Sequence, residues 1–282
     1  MNADGFRVIA EHRCFEGVQG FYEHASEACD APMRFSVYRP PAAIGGAAAP
    51  VLYYLAGLTC NEETFAIKAG AQRFAAELGL VVVAPDTSPR VRLPGDDAHW
   101  DFGLGAGFYV DATRVPWSSH YRMYTWITDE LPHVVAAHFP VRDDARGVFG
   151  HSMGGHGALV CALRNPDRYR SVSAFAPIAA PSESPWGRKA FAGYLGDDHD
   201  VWATYDASRL VAQHRFSSPI RIDQGSADEF LAEQLYPERF VEAAQRSGTT
   251  VELHRHDGYG HGYWFVQSFV GEHLRHHHRL LG

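Results

Sequence analysis

Ser152 lies in Gly150-His151-Ser152-Met153-Gly154, followed at once by Gly155-His156-Gly157. A serine in the pattern G-x-S-x-G, between a strand and a helix, is held out on a sharp turn where its hydroxyl can act as a nucleophile. Gly150 and Gly154 suit such a turn because a side chain at either position would collide with the neighbouring strand or helix. Ser152 itself is expected to accept a strained backbone. The pattern is short enough to arise by chance, and the alternative is a serine that merely caps a helix. Its flanks decide. Residues 145–149 read as a strand entering the turn, residues 157–163 as a small apolar helix leaving it, and Asn165-Pro166 as a stop.

A serine hydroxyl is a weak nucleophile near neutrality and needs a base, which in turn needs a carboxylate to orient it. On a strand-turn-helix scaffold of this type the order along the chain is serine, acid, histidine, each on a loop after a sheet strand. Asp228 fits the acid, following a strand at 220–223 within Gln224-Gly225-Ser226-Ala227-Asp228; its rival, Asp223, ends that strand and could brace the turn instead. The chain holds 17 histidines, so residue type alone selects no base. Position does. His261 follows the last strand, in Asp257-Gly258-Tyr259-Gly260-His261-Gly262, ahead of a helix at 263–274. His254 and His256 lie in or at the end of that strand, and His151, adjacent to the serine, points elsewhere. Acyl transfer also needs donors for an oxyanion, usually the amide after the serine and one from an early loop. Met153 supplies the first, and the segment 55–60 could turn the Leu58 amide toward the site.

The elements that must position these groups follow from hydrophobic patterning. Residues 7–12, 20–24 and 33–38 alternate as strands do, with Pro40-Pro41 ending the third, which suggests an antiparallel start. After a flexible connection at 44–50, the run 51–55 is apolar throughout, as a strand buried on both faces requires. Helices and strands then alternate: a helix near 67–78, a strand at 80–84, a helix near 121–138, the strand entering the turn, and strands at 171–176, 220–223 and 250–254. This is an α/β chain with a mostly parallel sheet flanked by helices. Two long insertions, 86–119 and 177–218, leave the carboxyl ends of strands, where such sheets place ligands. They carry Trp100, Phe102, Phe108, Tyr109, Trp117 and Trp186, which bind substrate or, for most of them, form satellite cores.

Length and composition agree with a single domain over residues 1–282: 46% hydrophobic, 13% aromatic and 21% charged residues support a sizeable core. No run of about 18 apolar residues occurs, and the start lacks the basic and apolar regions of a secretory signal, so no membrane association and a cytoplasmic location are expected. The four cysteines form no close pair and are expected to be free thiols. A formal charge of −8 without a basic cluster argues against nucleic acid. His273 and His276-His277-His278 suggest a metal tract, but the flanking Phe269, Val270, Leu274, Leu280 and Leu281 point to one apolar face of a native helix, and no metal site is expected.

With these segments in hand the chain resembles the S-formylglutathione hydrolase (esterase D) family, and does so nearly from end to end. The matching strings include residues 14–17, Gly57-Leu58-Thr59-Cys60-Asn61, Trp100-Asp101-Phe102-Gly103, Tyr121-Arg122-Met123-Tyr124, the 150–159 turn, residues 173–178, Pro185-Trp186-Gly187, and Asp223-Gln224-Gly225 with Asp228 and Phe230. The resemblance implies the α/β-hydrolase fold and hydrolysis of S-formylglutathione to glutathione and formate, in formaldehyde removal, without a cofactor. It implies the triad Ser152, Asp228 and His261, with the Leu58 and Met153 amides as oxyanion hole, and suggests a homodimer. Cys60 looks like the family's cysteine beside the site. Thr59, Cys60, Lys68, Phe108 and Trp186 are the substrate-pocket candidates, Lys68 because an anionic glutathionyl group approaching a chain of charge −8 needs local positive charge. The chain departs from the family's usual pattern at Ala179-Ala180 and at Gly262. The alternatives are a general short-chain carboxylesterase or acyltransferase on the same scaffold, and a non-catalytic binding module, which would require a broken triad.

Overall fold

The computed structural model describes residues 5–96 and 99–282. Residues 1–4, on which the reading of the amino-terminal segment partly rests, and residues 97–98 of the first insertion lie outside them. The chain begins with an antiparallel meander, β1 (Phe6–Cys14), β2 (Gly17–Ser26) and β3 (Ala31–Arg39), and Pro40, which can donate no ladder hydrogen bond, follows the last residue of β3. A one-turn helix, α1 (Pro41–Ile44), leads into the connection expected to be flexible at 44–50, and β4 (Ala49–Leu55) begins before that connection ends. Pro41 at the first turn of α1 explains the helix, since its fixed φ favours a helical start.

Where one helix is expected near 67–78 the structure has two, α2 (Glu62–Lys68) and α3 (Ala71–Leu78), separated at Gly70 with φ +66°. Asn61 caps α2 by accepting from the N–H groups of Glu63 and Thr64, so the helix starts immediately after the 55–60 segment and holds its far end. β5 (Val81–Pro85) follows, then the first insertion, and a helix that runs from α4 (Met123–Thr125) through a π turn at Trp126–Glu130 into α5 (Leu131–His138). β6 (Val141–His151) is longer than the sequence suggests, and α6 (Met153–Arg164) begins one residue after it ends. β7 (Ser171–Phe175) leads into the second insertion, which folds into α7 (Pro185–Leu195), α8 (His199–Ala203) and α9 (Ala207–Gln213). The chain finishes with β8 (Ile220–Gly225), a π turn at Leu231–Leu235, α10 (Pro237–Ser247), β9 (Val251–His256) and α11 (Tyr263–Leu281).

One nine-stranded sheet results, in the order β1-β2-β3-β5-β4-β6-β7-β8-β9. The first three strands and the β3–β5 pair are antiparallel, and every pair from β5 through β9 is parallel. β5 and β7 are buried along their whole length, as helices packed on the sheet demand, whereas β1 at the edge is mostly exposed. α11 packs against α3 and against β6 and β7, while α6 lies on β4, β6 and β7 and packs against α9, which in turn packs against α10. No described helix is long and apolar enough to cross a membrane, and all four cysteines are free thiols.

Two of the insertion aromatics, Phe102 and Trp117, form a satellite core with Tyr121 and Tyr194, their rings stacked or edge-on with centroids 4.5–5.3 Å apart. Tyr109 is buried too, its hydroxyl donating to the Ala56 carbonyl at 2.9 Å beneath the 55–60 segment. The histidine-rich end is helical, with His273, His276 and His277 buried against the sheet.

Candidate active site

The parallel order β4-β6-β7-β8-β9 brings the loops that leave these strands into one row at the carboxyl edge of the sheet. The 55–60 segment follows β4, Ser152 follows β6, Asp228 follows β8 and His261 follows β9. Residues more than a hundred positions apart thus meet through strand order alone.

The turn at Ser152 is tight. Ser152 has φ +60° and ψ −119°, a conformation that non-glycine residues rarely adopt. It is held there by its own amide, which donates to the Phe175 carbonyl at 2.9 Å, and by its carbonyl, which accepts from His156 and Ile178 at 3.0 and 3.2 Å. A Cβ at Gly154 would run into the Leu55 carbonyl, and one at Gly150 into the Gly154 main chain. Close approach of β4, β6 and α6 is therefore what both glycines permit.

His261 Nε2 lies 2.9 Å from Ser152 Oγ, and His261 Nδ1 lies 2.7 Å from Asp228 Oδ2. Because the carboxylate can only accept, Nδ1 carries the proton and Nε2 presents its lone pair to the serine hydroxyl. Asp228 also accepts from Gln224 Nε2 at 3.0 Å and from the Phe230 N–H at 2.9 Å. Burial works to raise the Asp228 pKa, but the hydrogen bond and charge of His261 and the bonds from Phe230 and Gln224 outweigh it, holding the carboxyl below its ordinary range. The acid is thus charged wherever the histidine needs orienting.

Asp223, the rival acid, is directed elsewhere. It is fully buried, accepts from His273 Nε2 at 2.8 Å and pairs with Arg221 at 3.0 Å. Among the described residues, neither the Leu58 N–H nor the Met153 N–H finds an acceptor within the protein. Gly57, one residue before Leu58, lies against Ser152, where an added Cβ would stand 3.2 Å from the Ser152 Cβ. The following residue, Thr59, is exposed with φ +67°, its amide donating to the Gly105 carbonyl at 2.9 Å. The Cys60 carbonyl accepts from Thr87 Oγ1 at 2.6 Å and Arg90 Nη2 at 2.9 Å, so two side chains of the first insertion brace this loop.

The pocket candidates separate. Cys60 is half-buried beside Tyr263, and burial pushes its thiol pKa up although the hydrogen bond from Tyr263 opposes this. Lys68 is exposed at the end of α2, its Nζ 5.9 Å from the centroid of the same Tyr263 ring. Trp186 packs on Phe230 at 4.8 Å, and Phe230 meets the His261 ring edge-on at 5.0 Å, so a wall of aromatic rings extends from the base. Phe108 does not belong with these. It is wholly buried and presents no surface to a ligand; its carbonyl accepts from His156 Nε2 at 2.9 Å, supporting α6 from behind. Ala179 and Ala180 are likewise buried, whereas Gly262 is open around its Cα. Phe230 and Gln224 were not singled out for these contacts from sequence; the signal was their spacing of two and four residues from Asp228, within the matching Asp223-Gln224-Gly225 and Phe230 strings.

Comparison with known proteins settles the family. A model of the esterase family, described as "Putative esterase", matches residues 26–276. The S-formylglutathione hydrolase of Mus musculus is 51% identical over 278 residues, covering 98% of this chain and 98% of the relative. The chain belongs to the S-formylglutathione hydrolase family of esterases. The enzyme of that name from Paracoccus denitrificans (strain Pd 1222) is 50% identical over 98% of this chain and 99% of its own length. A solved S-formylglutathione hydrolase from Agrobacterium tumefaciens superposes with a TM-score of 0.95 at 46% identity, covering 98% of this chain and all of that one. The family's α/β-hydrolase scaffold, with an antiparallel start and a mostly parallel sheet, is the architecture described above.

Proposed function

We infer that this chain hydrolyses S-formylglutathione, and that Ser152, His261 and Asp228 carry the reaction. The observation that carries the reading is the continuous hydrogen-bonded chain from Ser152 Oγ through His261 to Asp228, in a family whose members with about half their residues identical bear that activity in their names. Ser152 Oγ attacks the formyl carbon while His261 Nε2 takes its proton. The carbonyl oxygen becomes an oxyanion, for which the free N–H groups of Leu58 and Met153 are the available donors. Collapse of this intermediate breaks the C–S bond, and the sulfur leaves with a proton from His261. Water then attacks the formyl-serine ester, His261 again taking the proton, and formate is released with the serine regenerated.

Lys68 is the cation this reading places at the mouth for a carboxylate of the glutathionyl group. The chain's other lysine, Lys189, is engaged with Asp101 at 2.6 Å. Cys60 and Thr59 border the same approach, and Trp186 with Phe230 forms the opposite, aromatic side. Family membership also supports a cytoplasmic homodimer; a solution mass of one 31.2 kDa chain by light scattering would overturn the dimer.

The test is a kinetic comparison of S-formylglutathione, other acyl-glutathiones and short-chain aryl esters. Much faster turnover of S-formylglutathione is expected, and equal or slower turnover than the aryl esters would show a general carboxylesterase. Ser152→Ala retaining full activity would overturn the site.

A further inference from the structure

His151 takes no part in the steps above, yet it is buried and touches the base. It is the last residue of β6, and its side chain turns away from the Ser152 hydroxyl toward the loop that holds His261. His151 Nε2 lies 2.8 Å from the His261 carbonyl oxygen, and the two rings stand 4.6 Å apart at 42°. A carbonyl only accepts, so His151 Nε2 carries a proton. Nδ1 is buried without a partner among the described residues, and it faces Gly57, where an added Cβ would come within 3.4 Å of it. The ring is neutral, because burial and then the nearby His261 push its pKa down to about 3. When His261 takes up the serine proton, the neighbouring ring therefore adds no like charge.

Asp228 and Ser152 hold the His261 ring, but its main chain is sparsely tied without this contact. Glycines flank it on both sides, and neither β9 nor α11 includes it. Main-chain bonds tie its neighbours, Ala227 N–H to the Tyr259 carbonyl and Phe265 N–H to the Gly262 carbonyl, each at 3.0 Å. Among the described hydrogen bonds, the only one to the His261 main chain comes from the His151 side chain. A base must meet its proton within hydrogen-bond reach, and a displacement of about 1 Å costs on the order of 10²-fold in rate.

We propose that His151 is a positioning residue for the hydrolysis: by donating Nε2–H to the His261 carbonyl it sets the glycine-flanked loop so that His261 meets Ser152. This rests on His261 being the general base. The residue that precedes the nucleophile thereby couples the nucleophile's strand to the loop of the base, and the two groups shift together.

The test compares His151→Leu, His151→Met and His151→Gln, with His261→Ala as control, by kcat, KM and Tm. A glutamine amide reaches about as far as His Nε2 and keeps the donor, whereas Leu and Met fill space without one. Expected is a fall in kcat of about 10²-fold for Leu and Met with KM within about twofold, and recovery of at least about tenfold of that loss by Gln. Leu or Met keeping wild-type kcat, or Gln failing as they do, overturns the proposal. An active His261→Ala overturns instead the assignment of the base. Should both apolar variants fail to fold, nitrogen-resolved NMR of the wild type decides: a His151 ring protonated on Nε2 and not titrating between pH 5 and 8 supports the role, and a proton on Nδ1 or a titration in that range overturns it.

Discussion

At the scale of single residues the site is a set of one-way hydrogen bonds. Asp228 receives three donors and gives none, which leaves His261 only one tautomer that satisfies its Nδ1. Asp228→Asn would offer an amide where an acceptor is needed and turn the ring to the wrong tautomer, so kcat is expected to fall about 10⁴-fold with KM nearly unchanged, by steady-state kinetics on S-formylglutathione. The role proposed for Lys68 is of a different kind. An exposed charge contributes about 0.2–1 kcal/mol to an ion pair, so on this proposal Lys68→Ala raises KM for S-formylglutathione up to about fivefold and leaves that for an uncharged aryl ester unchanged. Equal KM changes for both substrates would remove Lys68 from the pocket. The residue types and their order pointed to Ser152, Asp228 and His261 from sequence, because each chemical role admits few side chains. Phe108 is a pocket candidate in sequence but lies buried in the core, because an aromatic in a ligand-bearing insertion looks the same in sequence whether it faces the pocket or the core.

At the scale of elements, close packing at the turn and a polar seam under the sheet do the positioning. Gly154→Ala would drive a methyl group into the Leu55 carbonyl, which separates α6 from β4 and displaces Ser152; loss of activity together with a lowered Tm is expected in the purified variant. On the other face, α11 is fastened to β7 and β8 by a chain of buried bonds. Ser171 Oγ and His277 Nδ1 are 2.6 Å apart, His277 Nε2 and Ser173 Oγ 2.8 Å, Ser173 Oγ and His273 Nδ1 2.8 Å, and His273 Nε2 and Asp223 Oδ2 2.8 Å. Neutral histidines satisfy the whole chain with every proton pointing toward the Asp223 carboxylate: each hydroxyl donates to an Nδ1, and each Nε2–H donates onward. His277→Leu would leave the buried Ser171 hydroxyl without a partner and take one of two from Ser173, at a cost of about 1–3 kcal/mol measurable by denaturant unfolding, with kcat little changed. Hydrophobic patterning placed α11 and nearly every strand from sequence. It did not divide α2 from α3, because the break depends on Gly70 adopting a left-handed conformation, and a single glycine within an amphipathic pattern does not announce that.

At the scale of the whole molecule, the buried histidines make stability depend on pH. Burial lowers the pKa of His156 and of His276 to about 4 and that of His151 to about 3, and it drives His277 well below its ordinary value. The folded pKa lies below the unfolded one, near 6.5, so between the two the unfolded chain binds more protons and stability falls as pH falls. Each ring contributes up to about 1.4 kcal/mol per pH unit in that window. Tm should hold steady above about pH 7 and decline on acidification below about 6.5, before carboxylates titrate. A Tm flat from pH 7 to 5 by calorimetry would show that these rings are not kept neutral in the folded protein.

What the sequence determines by itself is local chemistry and periodicity. The turn around Ser152 and the alternation of strands and helices are written in short windows, because backbone conformation and amphipathic packing depend on neighbouring residues. The choice between Asp223 and Asp228 was ranked from sequence, but only the tertiary structure gave each carboxylate its histidine, His273 from α11 to one and His261 to the other. The same is true of His151, whose partner lies 110 positions away. Such pairings depend on the order of strands in the sheet and on which face each helix covers, and those are properties of the assembled chain rather than of any stretch of it.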